Sequence, residues 1–121
     1  MIGIVDYQAG NLTSVARALE FLRQPCIITN DPGILDDASH IIFPGVGAAG
    51  AAMANLHKSG LDLHLRKWVQ RGKPVLGICL GTQVIFDYSE EDDTTCLGIV
   101  PGLVRRFPAD LQAAGRRVKI P

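Results

Sequence analysis

The sequence lacks an excess of charge of either sign. Its 12 basic residues balance 12 acidic residues, and the formal net charge is zero. The basic footprint typical of nucleic-acid binding is therefore absent, and no polybasic cluster indicates attachment to a membrane surface. Every apolar run is far shorter than the roughly 20 residues of a membrane-spanning helix. We expect neither nucleic acid nor a membrane among the partners of this protein.

Cysteine is also scarce. The three cysteines are Cys26, Cys79 and Cys96, and an odd number argues against a disulfide framework. No cysteine pair or cysteine–histidine cluster has the spacing of a zinc site. Because Met1 leads directly into an apolar segment, the start of the chain leaves no room for a signal peptide. We expect a cytoplasmic protein that binds no metal.

The 121 residues fit one domain, residues 1–121. Short apolar segments alternate with segments of helical periodicity in the first two-thirds of the chain. The predicted strands cover 2–5, 26–29, 41–43 and 75–78, and the predicted helices follow Asn11, run towards Lys58, and cover 61–69 and 82–88. This alternation predicts an α/β fold, with an open and mainly parallel sheet flanked by helices.

The pattern changes after the fourth predicted strand. Residues 90–93 form an acidic run that we interpret as solvated. Strands are predicted at 97–100 and 103–107, around Pro101-Gly102, as a hairpin-like excursion, and another at 118–120. A turn is predicted at 30–33, where Asn, Asp, Pro and Gly follow one another.

One cysteine lies in a context that indicates chemistry. Gly77-Ile78-Cys79-Leu80-Gly81 joins a predicted strand to a predicted helix, which is the pattern of a nucleophile elbow. The tight turn presents the sulfur, the glycines leave room for neighbouring backbone, and the helix N-terminus favours the thiolate. The Leu80 N–H can help to hold a developing oxyanion. The alternative is a buried, inert cysteine, which is how we interpret Cys26 and Cys96.

The elbow has no obvious general base. A nucleophilic cysteine needs a base, and that base needs an orienting group. His40, His57 and His64 all precede the elbow, at positions that an elbow cysteine would not obviously use. We interpret them as structural or solvent-exposed residues.

A glycine-rich segment follows the third predicted strand. Residues 45–50, Gly-Val-Gly-Ala-Ala-Gly, match the dinucleotide pattern G-x-G-x-x-G. That function predicts an acidic residue about 20 positions further on, at the end of the next strand, and none is present there. We therefore favour a flexible loop that donates a second N–H to the oxyanion. A tight turn packed against the sheet remains open as the alternative.

Four segments together resemble a known family. They are IVDYQAGNLTSV at 4–15, PGVG at 44–47, GICLGTQ at 77–83 and SEE at 89–91. They are similar to the glutaminase subunits of imidazole glycerol phosphate synthase, which are class I (triad) glutamine amidotransferases. The resemblance implies a flavodoxin-like α/β fold, here the N-terminal portion of the amidotransferase domain and incomplete at its C-terminus. The triad histidine and glutamate of the family would lie beyond this chain.

The resemblance implies an activity. Glutamine would be hydrolysed to glutamate and ammonia without a cofactor. The ammonia would pass to a cyclase subunit with a (β/α)8-barrel fold, which makes imidazole glycerol phosphate in histidine biosynthesis. Cys79 would attack the glutamine side-chain amide and form a thioester. The backbone at Val46 and Gly47, together with Leu80, would form the oxyanion hole.

The resemblance also assigns a substrate site and exposes departures. Gln83 and Glu91 would hold the polar groups of glutamine, whereas the residues alone predict a helix-surface glutamine and a solvated carboxylate. Gln8 replaces a usual glycine, Thr82 a usual methionine and Ala49 a usual aromatic residue. Gln8 matters most, because glycine there can serve a positive φ.

Two other functional classes stay open. One is a different elbow-cysteine hydrolase or redox protein of similar fold, and the other is a non-catalytic module that binds a partner through the sheet edge. For the chain alone we expect inactivity, since a thiolate without its base can acylate weakly but not turn over. An unpaired sheet edge should favour association.

Overall fold

A four-stranded parallel sheet organises the first part of the chain. The computed structural model describes residues 1–119. The sheet has the strand order β2-β1-β3-β4, which confirms the predicted α/β architecture. Its elements are β1 (Ile2–Val5), α1 (Leu12–Phe21), β2 (Cys26–Thr29), α2 (Pro32–Asp36), β3 (His40–Phe43), α3 (Ala49–Ser59), α4 (Leu61–Gln70), β4 (Val75–Gly77) and α5 (Leu80–Val84).

The register of the sheet brings three loops together. Ile2 pairs with His40 across β1 and β3, and Phe43 pairs with Gly77 across β3 and β4. The carboxyl ends of these parallel strands therefore lie at one edge, where α/β proteins form their sites. The loops after Val5, after Phe43 and after Gly77 meet at that edge.

The two faces of the sheet are covered unequally. On one face α3 and α4 bury Leu56, Leu65 and Trp68 completely, and the Trp68 Nε1–H donates to the Pro74 carbonyl at 3.1 Å. On the other face α1 covers Ile4 and Ile42 through a smaller cluster. The loop between β3 and α3 leads from the sheet to this tightly packed face, because α3 lies on it.

The predicted turn at 30–33 is wrong, because a helix begins there. Asp31 precedes α2, and its carboxylate accepts the Gly33 N–H at 2.7 Å. Pro32 stands at the first helical position, where its missing N–H is harmless. An Asp-Pro pair after a strand therefore starts a helix here instead of a simple turn.

The predicted helix at 82–88 was placed too late. The helix α5 already begins at Leu80, directly after Cys79, and it ends at Val84. Tyr88 belongs to a strand, β5 (Tyr88–Ser89).

The predicted hairpin around Pro101-Gly102 is also wrong. A second sheet contains β5, β6 (Thr94–Thr95) and β7 (Leu103–Val104) in the order β6-β5-β7, and β7 runs parallel to β5. Residues 97–100 form no strand. Instead, Leu97 donates its N–H to the Val84 carbonyl at 2.9 Å, and its own carbonyl accepts the Arg66 Nε–H at 2.7 Å.

The last described residues contain a hairpin that was not predicted. It joins β8 (Gln112–Ala113) to β9 (Arg116–Arg117). Ala114 and Gly115 form its turn with φ of 53° and 72°, and positive φ at both positions is typical of a type I′ turn. Of the strand predicted at 118–120, residues 118 and 119 lie in no strand, and residue 120 lies outside the described residues.

Within residues 1–119, no helix has the length and apolar character needed to cross a membrane.

Candidate active site

The cysteine of the elbow lies on a strained turn between β4 and α5. Cys79 has φ 54° and ψ −116°, a conformation that residues other than glycine rarely adopt. Such strain is found most often at functional sites. The Cys79 side chain is exposed, whereas Cys26 is partly buried and Cys96 is buried. The strand, turn and helix of a nucleophile elbow are thus present, with the sulfur accessible.

Close backbone contacts explain both glycines of the elbow. A Cβ added to Gly81 would collide with the Phe43 carbonyl oxygen, and a Cβ added to Gly77 would lie 2.9 Å from the Thr82 nitrogen. Real Cβ atoms do not approach backbone this closely. The elbow can therefore form only where α5 packs directly against the ends of β3 and β4.

The backbone N–H groups of the three predicted oxyanion-hole residues differ in whether they already donate a hydrogen bond. Val46 is exposed and Gly47 has φ 107°, and no backbone carbonyl within residues 1–119 accepts a hydrogen bond from either N–H. The Leu80 N–H, in contrast, donates to the Gly45 carbonyl at 3.3 Å. Among the described residues, two of the three predicted donors therefore have no backbone acceptor, and the third is already occupied.

The two predicted substrate-binding residues are in direct contact. The Gln83 Nε2 donates to the Glu91 Oε2 at 2.9 Å and to the Ser89 Oγ at 2.9 Å. Gln83 is also joined to the elbow, because its N–H donates to the Cys79 carbonyl at 3.1 Å. Ser89 is fully buried, and although it belongs to the segment at 89–91, the sequence predicted no role for it. The structure thus links these side chains to the elbow through α5.

The acidic run is more than a solvated surface. The Glu91 carboxylate accepts the Ala49 N–H at 2.9 Å, and the Asp92 carboxylate accepts the Gly50 N–H at 3.2 Å. These N–H groups open α3, and Ala48, in the N-cap position, offers no side-chain bond of its own. Carboxylates at a helix N-terminus also complement its dipole. The run therefore caps α3, at the end of the glycine-rich loop.

A tyrosine outside the predictions lies beneath that loop. Tyr7 is 2% exposed, its ring lies 5.1 Å from that of Phe43, and its hydroxyl has no hydrogen-bond partner among residues 1–119. Burial, followed by the nearby charge of Cys79, raises the pKa of Tyr7. The neighbouring Gln8 replaces a glycine that is usual in the resembled family. Its φ is 64°, a positive value that glycine adopts more easily than glutamine.

A groove of about 590 Å³ opens beside the Gln83–Glu91 pair. Its walls carry both signs of charge, because Glu90 and Glu91 line it together with Arg105 and Arg106. A groove of mixed charge suits a zwitterionic ligand better than a purely anionic or cationic one.

The described histidines do not serve the elbow. His57 Nδ1 pairs with the Asp62 carboxylate at 2.6 Å, and His40 Nδ1 lies 3.1 Å from the Ser39 Oγ. Burial lowers the pKa of His64. In the part of the chain that the structure describes, no histidine forms a hydrogen bond with Cys79.

A comparison with known protein families identifies the family to which this cysteine elbow belongs. A profile described as "Glutamine amidotransferase class-I" matches residues 4–108. The chain belongs to the class I glutamine amidotransferase family. The match confirms the resemblance inferred from four short segments, and it includes the elbow, the glycine-rich loop and the acidic run of this amidotransferase chain.

Relatives of this amidotransferase carry a more specific name. The chain is 53% identical over 122 residues to "Imidazole glycerol phosphate synthase subunit HisH" of Nitratidesulfovibrio vulgaris, covering 100% of this chain and 57% of that protein. The protein of the same name from Desulfovibrio desulfuricans is 57% identical over 107 residues, which are 88% of this chain and 49% of that protein. The chain therefore spans about half the length of the curated relatives it matches.

Solved structures confirm the amidotransferase fold. A crystal structure of a glutamine amidotransferase superposes with a TM-score of 0.75 at 20% identity, covering 87% of this chain and 56% of that chain. A putative peptidase E protein from Listeria monocytogenes EGD-e reaches a TM-score of 0.62 at 16% identity, covering 72% of this chain and 50% of that chain. At these identities the likeness concerns the fold alone.

Proposed function

We propose that this chain supplies the nucleophile and part of the substrate site of a glutaminase that produces ammonia for imidazole glycerol phosphate synthesis. The observation that carries the proposal is the exposed Cys79 on a strained elbow, in a chain of the class I amidotransferase family. Of the alternatives, another elbow-cysteine hydrolase or a redox protein lacks support from the family match.

The proposed chemistry begins at the Cys79 sulfur. The thiolate attacks the carboxamide carbon of glutamine and an S–C bond forms; the C–N bond then breaks as the nitrogen takes a proton from the triad histidine, which would lie beyond this chain, and leaves as ammonia. Water then cleaves the thioester to give glutamate. The N–H groups of Val46, Gly47 and Leu80 would stabilise the oxyanion of each tetrahedral intermediate. Leu80 can contribute only after it is released from the Gly45 carbonyl.

The proposed substrate site lies one helical turn further along. Gln83 and Glu91 present an amide and a carboxylate next to the groove of mixed charge. We propose that the amino and carboxylate groups of glutamine replace part of the contact between these two side chains. An α-amino acid carries both charges, which agrees with the presence of both Glu and Arg residues in the groove walls.

The proposed partner is a cyclase subunit with a (β/α)8-barrel fold that receives the ammonia. The relatives are named as subunits of a synthase, which supports an assembly of more than one chain. We also propose a cytoplasmic location, and the free thiols of Cys26, Cys79 and Cys96 agree with a reducing compartment.

Affinity labelling tests the nucleophile. A glutamine-like chloroketone should alkylate Cys79, because binding places the reactive carbon next to the exposed sulfur. Tandem mass spectrometry should find the adduct on Cys79, and free glutamine should protect it whereas asparagine should not. The Cys79→Ser variant is the control and should remain unlabelled. Adducts confined to Cys26 or Cys96 would contradict the proposal.

Turnover by the chain alone is a separate test. Since no histidine of residues 1–119 is bonded to Cys79, we expect negligible ammonia release from glutamine in a coupled glutamate assay. Adding the purified chain to the cyclase of a relative should not restore turnover. Steady multiple-turnover hydrolysis by the chain alone would show that hydrolysis does not require a histidine base bonded to Cys79.

A further inference from the structure

The hydroxyl of Tyr7 is a buried polar group that the proposed mechanism leaves unused. It is enclosed by protein, and none of the described residues accepts or donates a hydrogen bond to it. A buried hydroxyl without a partner destabilises the fold, and such groups in native proteins call for an explanation. Ring packing against Phe43 does not provide one, because a phenylalanine ring would pack equally well.

The position of that hydroxyl points to the oxyanion loop. A Cβ added to Gly45 would collide with the Tyr7 hydroxyl oxygen, so this oxygen lies directly against the Gly45 backbone. The Gly45 carbonyl is the group that holds the Leu80 N–H at 3.3 Å. Because burial and the charge of Cys79 raise the pKa of Tyr7, the hydroxyl keeps its proton and remains a donor.

We propose that Tyr7 is a positioning residue for the oxyanion hole, whose hydroxyl replaces the Leu80 N–H as the donor to the Gly45 carbonyl when that N–H turns to the substrate oxyanion. This inference rests on the proposed function of Cys79. It adds a residue that lies outside the elbow, the loop and the substrate pair.

The exchange leaves fewer unpaired groups than the alternative. At rest Gly45 accepts from Leu80, and the Tyr7 hydroxyl has no partner. During the reaction Gly45 accepts from Tyr7, and Leu80 donates to the oxyanion. Without the hydroxyl, release of Leu80 would leave the buried Gly45 carbonyl unpaired, and an unsatisfied buried carbonyl opposes that release. The unpaired hydroxyl at rest is thus a donor held ready for use.

Two reagents that react with the same sulfur test this role. Iodoacetamide alkylates Cys79 by displacing iodide, and no oxyanion forms. p-Nitrophenyl acetate acylates it: the thiolate adds to the ester carbonyl, an S–C bond forms, and nitrophenolate leaves with the electrons of the C–O bond. Acylation therefore passes through an oxyanion, needs no acid for its leaving group, and can be followed in a single turnover on this chain.

The decisive variant is Tyr7→Phe. We expect its acylation rate constant to fall about tenfold, while its alkylation rate constant stays within twofold of the wild type. Its Tm should be unchanged or higher, since the variant removes an unpaired buried hydroxyl. Tyr88→Phe is the matched control and should change neither rate, and Cys79→Ser gives the background reaction of other nucleophiles.

Each remaining outcome has a defined meaning. If Tyr7→Phe acylates as fast as the wild type, or if both rates fall in parallel, the positioning role is refuted. The same holds if wild-type Cys79 is alkylated but not acylated. If neither reagent modifies wild-type Cys79 by mass spectrometry, the proposed nucleophile itself fails, and the inference about Tyr7 fails with it.

Discussion

The elbow and the acidic turn contribute to the same candidate site but are held in place by different forces. At the elbow, Gly77 and Gly81 lie against backbone atoms of neighbouring elements, with no room for a side chain. At the turn, Glu91 and Asp92 reach the start of α3 through hydrogen bonds of flexible side chains. Steric exclusion fixes the first region, and polar contacts that water can partly replace fix the second.

Because of this difference, substitutions in the two regions should affect different properties of the protein. Close backbone contacts cannot relax without moving β3, so the shape of the elbow belongs to the fold itself. The carboxylates of the turn are exposed, so their loss should weaken the site more than the fold. Variants of the two regions should therefore differ in which property they change.

The largest effect is expected at the elbow. In Gly81→Ala the new methyl group would collide with the Phe43 carbonyl oxygen, and overpacking of this kind lowers the free energy of unfolding by about 3 kcal/mol. Urea denaturation measures it. Gly33→Ala is the matched control, because only the Asp31 side chain lies near its added Cβ, at 3.2 Å, and we expect a change below about 1 kcal/mol. Equal effects of the two substitutions would remove the steric explanation.

An intermediate effect is expected at Glu91. Glu91→Ala removes the acceptor of the Ala49 N–H and the partner of Gln83, which should lower the free energy of unfolding by about 1 kcal/mol. Alkylation of Cys79 by iodoacetamide should stay unchanged, whereas protection of Cys79 by glutamine against the chloroketone should be lost. Glu20→Ala, on the exposed surface of α1, is the control. A loss as large as that of Gly81→Ala would make the two regions equivalent.

The smallest effect is expected at Asp92. Asp92→Asn keeps an acceptor oxygen and a side chain that tolerates φ 57°, so only the charge at the α3 N-terminus is lost. The expected decrease in the free energy of unfolding is about 0.5 kcal/mol at low salt, and it should disappear near 1 M salt, where the Debye length is about 3 Å. Asp110→Asn, at another exposed position, should show no such decrease. A decrease that persists at high salt would indicate a geometric role for Asp92.

Predictions from sequence succeeded where the signal is local. The elbow was found because a strand, two glycines, a cysteine and a helix follow one another within a few residues, and the backbone at Cys79 has the strain that this order requires. The cap of α3 was missed because Glu91 and Ala49 are 42 positions apart. A signal existed nonetheless: the N-cap residue Ala48 and the first helical residues Ala49 and Gly50 offer no capping side chain, so a cap from side chains has to come from elsewhere in the chain.

The region of the second sheet shows a strand that local sequence predicted and the structure does not form. Residues 97–100 have the apolar character of a strand, but the Leu97 backbone bonds to Val84 and to the Arg66 side chain. Competition for backbone partners between distant segments cannot be read from either segment alone. The turn at Ala114-Gly115 was also missed, because Ala is an unusual residue at a positive φ.

By itself, the sequence determined the alternation of strands and helices, the glycine-flanked cysteine and the family, because each depends on residues that are neighbours along the chain. Only the tertiary structure decided that Glu91 caps α3 and that the Leu80 N–H donates to the Gly45 carbonyl. It also decided that the Tyr7 hydroxyl has no partner among the described residues beneath the loop. These features arise where the carboxyl ends of parallel strands bring distant loops into contact, and hydrogen bonds across such contacts depend on positions in space that no local pattern encodes.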